Sequence, residues 1–272
     1  FRVREVDEAG TLTATYIHSI GKKGSPSRVD AIDSIQAFVS SIAGLLSSRA
    51  VLLSVGVGDS SASPTSALLL SMLQQSLSRI AKVAFAYRLG KAIEPECKMY
   101  RFCADLLHDS SFVLNCLSPM LPKAFRPPIL ALSSICFAVC DVVASSTKAS
   151  LSAHFAKWEN LGELNAKDSS QETIISLLGM LTGSLLVNWI SGHWATWTAL
   201  ILMLSVHLEA NRRAVRAIVM QTLNRQRATV VYHRLCVGHI PRPAEVSRVE
   251  RIFERNGAVR DAENRLIGVC TM

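Results

Sequence analysis

From Asp30 onward, apolar residues recur at helical spacing. Ile32, Ile35, Phe38, Val39, Ile42, Leu45, Leu46 and Leu53 predict a first helix over about 31–55, stopped by Gly56 and Gly58. Ser40, Gly44 and Ser48 are small residues four apart, a stripe that lets another helix approach closely. A second helix is expected to start with Pro64 in its first turn and to run to about Leu89. Leu70, Leu73, Leu77, Ile80 and Ala84 form its apolar stripe, with Gln75, Ser78, Arg79 and Lys82 opposite. Pro95 opens a third, with Met99, Phe102, Cys103, Leu106, Ser110, Val113 and Leu117 on one face, ending near Pro119 and Pro122. Pro127 and Pro128 start a fourth. Its apolar run Ile129 to Cys140 is too short to cross a bilayer alone, and an extension through Asp141 to about Ser150 is expected.

No Asp, Glu, Lys or Arg occurs between Glu172 and Glu209, and Ser191, Gly192 and His193 divide this run into halves of about membrane-spanning size. This is the strongest membrane signal in the chain. In a transmembrane hairpin both outer ends lie on one side, which Lys157, Lys167, Arg212, Arg213 and Arg216 place in the cytoplasm or its organellar equivalent. Trp189, Trp194 and Trp197 then bracket the turn at the opposite interface. The alternative is a buried helical hairpin of a soluble protein. Gly179 and Gly183 form a Gly-x-x-x-Gly pair suited to helix packing under either reading.

The segment "NAKDSSQET" (165–173) stands at the entrance to this run. Ser169 and Glu172 match the Ser-x-x-Glu capping box, and Asp168 adds favourable charge at a helix start. Asp168, Ser169 and Glu172 are therefore expected as a structural cap. Lys167 and Gln171 have no role in it and remain site candidates.

The chain thus divides into a loose N-terminal segment (1–29) with a β-like run "TLTATYIHSI", a helical domain (30–228) and a small polar C-terminal appendage (229–272). In the appendage "PAEVSRVERIFERNG" reads as an amphipathic helix and "RLIGVCT" as a strand. The fold class is all-α, about six helices, in a polytopic membrane helical bundle.

Composition agrees. Hydrophobic residues make up 49%, charged residues 18%, and the mean hydropathy is +0.28, more apolar than a usual soluble domain. The net charge of +8 suits nucleic acid, anionic lipid or an acidic partner. From Arg212 to Arg265 every basic residue except the histidines is arginine, beginning where the last apolar segment ends, as juxtamembrane cations do. Only Tyr232 and Phe253 lie among these arginines, too few aromatics for base stacking, so nucleic acid is not the expected partner. The seven cysteines are scattered without a Cys-x-x-Cys pair, which excludes a zinc module or disulfide framework and favours a reducing, intracellular compartment. An opening at Phe1 rather than Met is what a chain lacking its native N-terminus shows, and it leaves the targeting signal and the organelle open.

Familiar catalytic motifs are missing. Ser61 stands where a dinucleotide fingerprint needs its third glycine after Gly56 and Gly58, and no phosphate loop, His-Glu-x-x-His or Gly-x-Ser-x-Gly occurs. No catalytic residue and no cofactor is assigned. The third helix carries the best polar constellation: Arg101, Asp105, His108 and Asp109 fall at offsets that share one helical face. Either it is a proton-handling or ion-binding stripe, or it is a solvated face with an Arg101–Asp105 pair. Asp105, His108 and Asp109 on a single helix make a weak metal set, and no metal is assigned.

Four blocks, "DSIQAFVSSIAGLLSSRAVLLSVGVGD" (33–59), "KMYRFCADLLHD" (98–109), "AKDSSQETIISLLGM" (166–180) and "ANRRAVRAIVMQTLNRQRA" (210–228), resemble in order and spacing the root UVB-sensitive (RUS) family, and "EVSRVERIF" resembles its C-terminal region. The resemblance implies a mostly helical, membrane-associated protein. Plant members of that family are linked to seedling development, UV-B responses in roots and vitamin B6 homeostasis. It implies no catalytic residues. Gln74, Gln75, Ser76 and Ser78 depart from the family pattern, which tends to place an acidic residue and glycines there. The expected function is that of a membrane-bound small-molecule carrier or B6-related homeostasis factor, its ligand unknown. The alternative is a helical membrane scaffold that binds a family paralogue or another protein without transport. Membrane lipid is an expected partner under both readings.

Overall fold

The computed structural model describes residues 2–6, 12–17, 27–58, 63–155, 161–190, 192–254, 258–261 and 265–269. Among them the chain forms eight α-helices: α1 (Ser27–Val55), α2 (Pro64–Ile93), α3 (Cys97–Leu117), α4 (Arg126–Phe155), α5 (Leu161–Trp189), α6 (His193–Ala217), α7 (Arg225–Cys236) and α8 (Pro243–Val249). Strands β1 (Arg2–Val6) and β2 (Leu12–Ile17) pair antiparallel, as do β3 (Ala258–Arg260) and β4 (Leu266–Val269). The fold is all-α in its body, with the six long helices that the apolar pattern predicts.

The helix ends follow local chemistry. At the end of α1, Gly56 adopts φ 90°, and the Val57 and Gly56 amides donate to the Leu52 and Leu53 carbonyls. This paired pattern closes a helix around a left-handed residue, which glycine enters without steric penalty. Pro64 opens α2 and Pro243 opens α8 at positions where no amide donor is needed. The Asn224 side chain caps α7 by accepting from the Arg227 amide at 2.8 Å.

α1 and α3 are the centre of the bundle. α1 packs against α3, α5 and α6, and α3 also packs against α4, with α2 lying outside α4. α5 and α6 each lie along α1. The core follows this arrangement: Ala43 and Ala50 of α1 meet Phe112 and Cys116 of α3 and Leu200 and Leu204 of α6. A second cluster joins Ala104 of α3 to Cys140 and Val143 of α4. Each fully buried leucine stabilises the fold by roughly 1.5–3 kcal/mol.

Three helices are long and apolar enough to cross a membrane: Ile32–Val55 in α1, Lys123–His154 through α4, and Asn165–Trp189 in α5. The expected extension of the fourth helix beyond Cys140 is present, and the helix continues without a break to Phe155. One expectation changes. α6 does not join the candidate spans, because its C-terminal half carries Glu209, Arg212, Arg213 and Arg216. α5 is also the least covered, with 11% of its apolar window buried against 39% for α1.

The expected cap at Asp168, Ser169 and Glu172 is corrected as well. α5 begins at Leu161, so these residues lie inside the helix, where amides already have intrahelical partners. Ser170 donates back to the Ala166 carbonyl at 2.7 Å, and Asp168 and Glu172 both bind Lys148 of α4, at 2.7 and 2.9 Å.

Candidate functional site

α5 approaches α1 through its glycines. A Cβ on Gly179 would lie 2.7 Å from the Phe38 carbonyl oxygen, and one on Gly183 would lie 2.8 Å from Leu45 Cδ1. Only hydrogen at these positions permits the contact. Gly44 of α1 lies against Phe112 of α3.

These close approaches leave a cavity of about 610 Å³ between α1, α2, α3, α4 and α5. Nine serines contribute to its wall, Ser40, Ser41, Ser47 and Ser48 from α1, Ser78 from α2, Ser111 from α3, Ser133 and Ser134 from α4, and Ser176 from α5, beside the apolar Ala37, Leu45, Val51 and Met180. Gln74, Asn115 and His108 add neutral polar groups, Glu172 contributes a carboxylate at the edge, and Phe112 and Phe137 supply flat apolar surface. Among the described residues, no lysine or arginine lines it. Some of the wall is preorganised: Asn115 donates to the Ser47 hydroxyl at 2.9 Å, Ser78 to the Ser134 carbonyl at 3.1 Å, and Ser133 to the Ser111 carbonyl at 3.0 Å.

The polar face of α3 is not solvated. Asp105 and Asp109 are 6% and 5% exposed, and Arg101 and His108 are part-buried. Asp105 accepts a hydrogen bond of 2.9 Å from Gln36 of α1 and lies in electrostatic range of Arg101, which also senses Asp33 and Glu172. His108 lies between the rings of Phe112 and Phe137, at centroid distances of 4.4 and 5.5 Å, and reaches the cavity wall. Asp109 faces His207 of α6, Oδ1 to Nδ1 at 2.9 Å. Of the residues singled out in the sequence, the structure thus sets Arg101 near Asp105 on α3, ties Asp105 to α1 and directs His108 to the cavity. Lys167 is part-buried on α5 and Gln171 donates to Ser34 at 3.2 Å; neither lines the cavity. His207, Gln36 and the serines are partners that sequence reasoning missed. Their signal was weak, since a lone histidine in an apolar helix and scattered serines are common in helix cores.

The end of the chain also reaches α3. Lys98 pairs with Glu250 at 2.6 Å, and Glu250 also binds Arg227 at 2.8 Å, all three side chains being buried. Burial pulls the Lys98 ammonium below its ordinary pKa, with Glu250 acting against that shift. Phe253 meets Phe102 edge-on at 5.6 Å.

Helix-on-helix packing and, among the described residues, three helices of membrane-crossing length define the class: an all-α protein with a partly open pocket between its helices. The chain belongs to the RUS family, since residues 30–238 match the family described as the vitamin B6 photo-protection and homoeostasis domain. It is 37% identical over 226 residues to RUS family member 1 of Dictyostelium discoideum, covering 81% of this chain and 43% of that protein. It is 32% identical over 223 residues to protein root UVB sensitive 3 of Arabidopsis thaliana, covering 81% and 50%. Against protein root UVB sensitive 6 of the same plant it is 29% identical over 253 residues, covering 91% and 50%. The chain therefore spans about half the length of the curated relatives it matches. No solved structure matches it.

Proposed function

We propose that the chain is a membrane-embedded carrier that holds a small, hydroxylated heteroaromatic molecule, in particular an unphosphorylated form of vitamin B6, in the cavity between α1 and α4. The observation that carries this reading is the wall chemistry. A space of about 610 Å³ lined by serines, Asn115, Gln74 and two phenylalanines offers hydrogen bonds to ring hydroxyls and stacking surface to a flat ring. Among the described residues the same wall has no lysine or arginine to neutralise a phosphate, and Glu172 at its edge is already paired with Lys148. The family's B6 domain description supports the choice of ring. Residence in a membrane is supported by α5, whose Ile174, Leu177, Leu178, Leu181 and Leu185 are each about half exposed or more.

Isothermal titration of pyridoxine and of pyridoxal phosphate into the chain, reconstituted in phosphatidylcholine nanodiscs, tests the proposal. Pyridoxine is expected to bind at least about tenfold more tightly than the phosphate ester, and Asn115→Leu, close in volume but without the amide, to weaken it about tenfold. Equal affinity, or preference for the phosphate, removes the reading. Carbonate extraction of expressed protein tests the membrane premise: release into the supernatant is the contrary result.

A further inference from the structure

We infer that His108, Asp109 and His207 form a binding site for a divalent first-row transition metal ion such as Zn2+, at the α3–α6 contact behind the cavity wall. The ligand atoms of the three side chains all lie within 4.8 Å of one another. Two protein ligands at ordinary metal distances of about 2.1 Å sit roughly 3–3.5 Å apart, so modest side-chain rotation closes the set.

The decisive observation is what Asp109 and His207 fail to do. Their side chains are 7% and 3% exposed, and Asp109 Oδ1 and His207 Nδ1 approach to 2.9 Å. Yet the two atoms are not aligned for a hydrogen bond, and neither they nor Asp109 Oδ2 have another partner among the described residues. Buried polar atoms without partners are rare, and a buried carboxylate in that state is strongly disfavoured. A cation bound by both side chains would satisfy these buried atoms. His108, one residue before Asp109, supplies the second imidazole, its ring centroid 6.1 Å from that of His207.

The donor set selects the ion. Two imidazole nitrogens and one carboxylate oxygen suit Zn2+, Co2+, Fe2+ or Ni2+, whereas Ca2+ and Mg2+ favour all-oxygen shells. Three protein ligands leave at least one coordination position open, and one of the ligands, His108, also lines the cavity. The inference does not rest on the carrier reading, because metal uptake is measured with no vitamin present.

The test is titration of the chelator-stripped, detergent-solubilised chain with Zn2+ by calorimetry and with Co2+ by visible absorption. One ion per chain is expected, with Co2+ bands of four- or five-coordinate geometry. Asp109→Asn and His207→Gln should each weaken uptake by about a hundredfold, and His108→Gln, at a part-buried position, by at least about tenfold, while His193→Gln at an exposed position changes nothing. Far-UV circular dichroism establishes that the variants compared are folded. A stripped wild-type chain that takes up no stoichiometric ion overturns the inference, as does uptake by folded His108→Gln as tight as that of the wild type.

Discussion

Lys98 at the start of α3 and Glu250 just past α8 form a buried ion pair of 2.6 Å. The pair sets where α8 ends. Glu250 leaves helical geometry with ψ 133°, and this turn directs its carboxylate to both Lys98 and Arg227. Glu250→Gln strands two buried cations, and a loss of about 3–5 kcal/mol is expected by chemical denaturation. The variant also acquires a pH signature. With its pKa depressed by burial and no longer supported by Glu250, Lys98 binds fewer protons folded than unfolded. Stability should therefore rise as pH climbs toward the ordinary lysine value of about 10.4. A flat alkaline profile would show that Lys98 is not the group left unpaired.

Gln36 and Asp105 join α1 to α3 at 2.9 Å, both side chains being buried. Gln36→Leu keeps the volume but withdraws the donor. The variant should lose about 1–3 kcal/mol, more than a surface change gives. Thermal unfolding beside an exposed control such as Gln75→Leu reads the difference.

Gly179 and Gly183 make the α1–α5 contact as tight as it is. Gly179→Leu drives side-chain atoms into the Phe38 carbonyl, which is backbone and cannot rotate away. A loss of about 1–3 kcal/mol or more is expected, with α5 as the first element to gain hydrogen exchange. Unchanged exchange in 174–187 would mean that α5 does not depend on this seam.

Ser169→Ala separates two accounts of "NAKDSSQET". As an N-cap, Ser169 would contribute about 1 kcal/mol. As an exposed residue eight positions into α5, it should be neutral within about 0.5 kcal/mol, since alanine is the better helix former. The structure supports neutrality, and a melting comparison of the two chains decides it.

α1, α2 and α4 were legible because each begins or ends at a residue with its own backbone preference: Gly56, Pro64 and Pro127. What was not legible involved partners remote in sequence. The capping-box pattern at Ser169 is a local rule, and it yielded to a helix that had already started at Leu161. α7 carries mixed polar and apolar residues without a clear stripe, and it forms because Asn224 caps it and Arg227 anchors it to Glu250. On α3, periodicity placed Asp105, His108 and Asp109 on one face but could not say whether water or α6 covers that face. Only the packing of His207 against Asp109 does. The serine-lined cavity was hidden for the same reason, its wall being collected from five helices.

Arg49 of α1 caps the far end of α5. Its Nη1 donates to the Val187 carbonyl at 3.1 Å and to the Ile190 carbonyl at 2.6 Å. The last carbonyls of a helix have no intrahelical donors, and a cation there also meets the negative end of the helix dipole. If the α5 terminus lies in an apolar environment, water cannot replace these bonds. Arg49→Met keeps the aliphatic stem and removes both bonds, and a loss of about 1.5–3 kcal/mol is expected. Because the bonds are local, hydrogen exchange should accelerate over residues 186–190 before it does at the centre of α3. Arg49→Lys, with a shorter reach and no planar fork, should restore only part of the protection. Exchange that rises uniformly along the chain in Arg49→Met would instead place the role of Arg49 in the packing of α1.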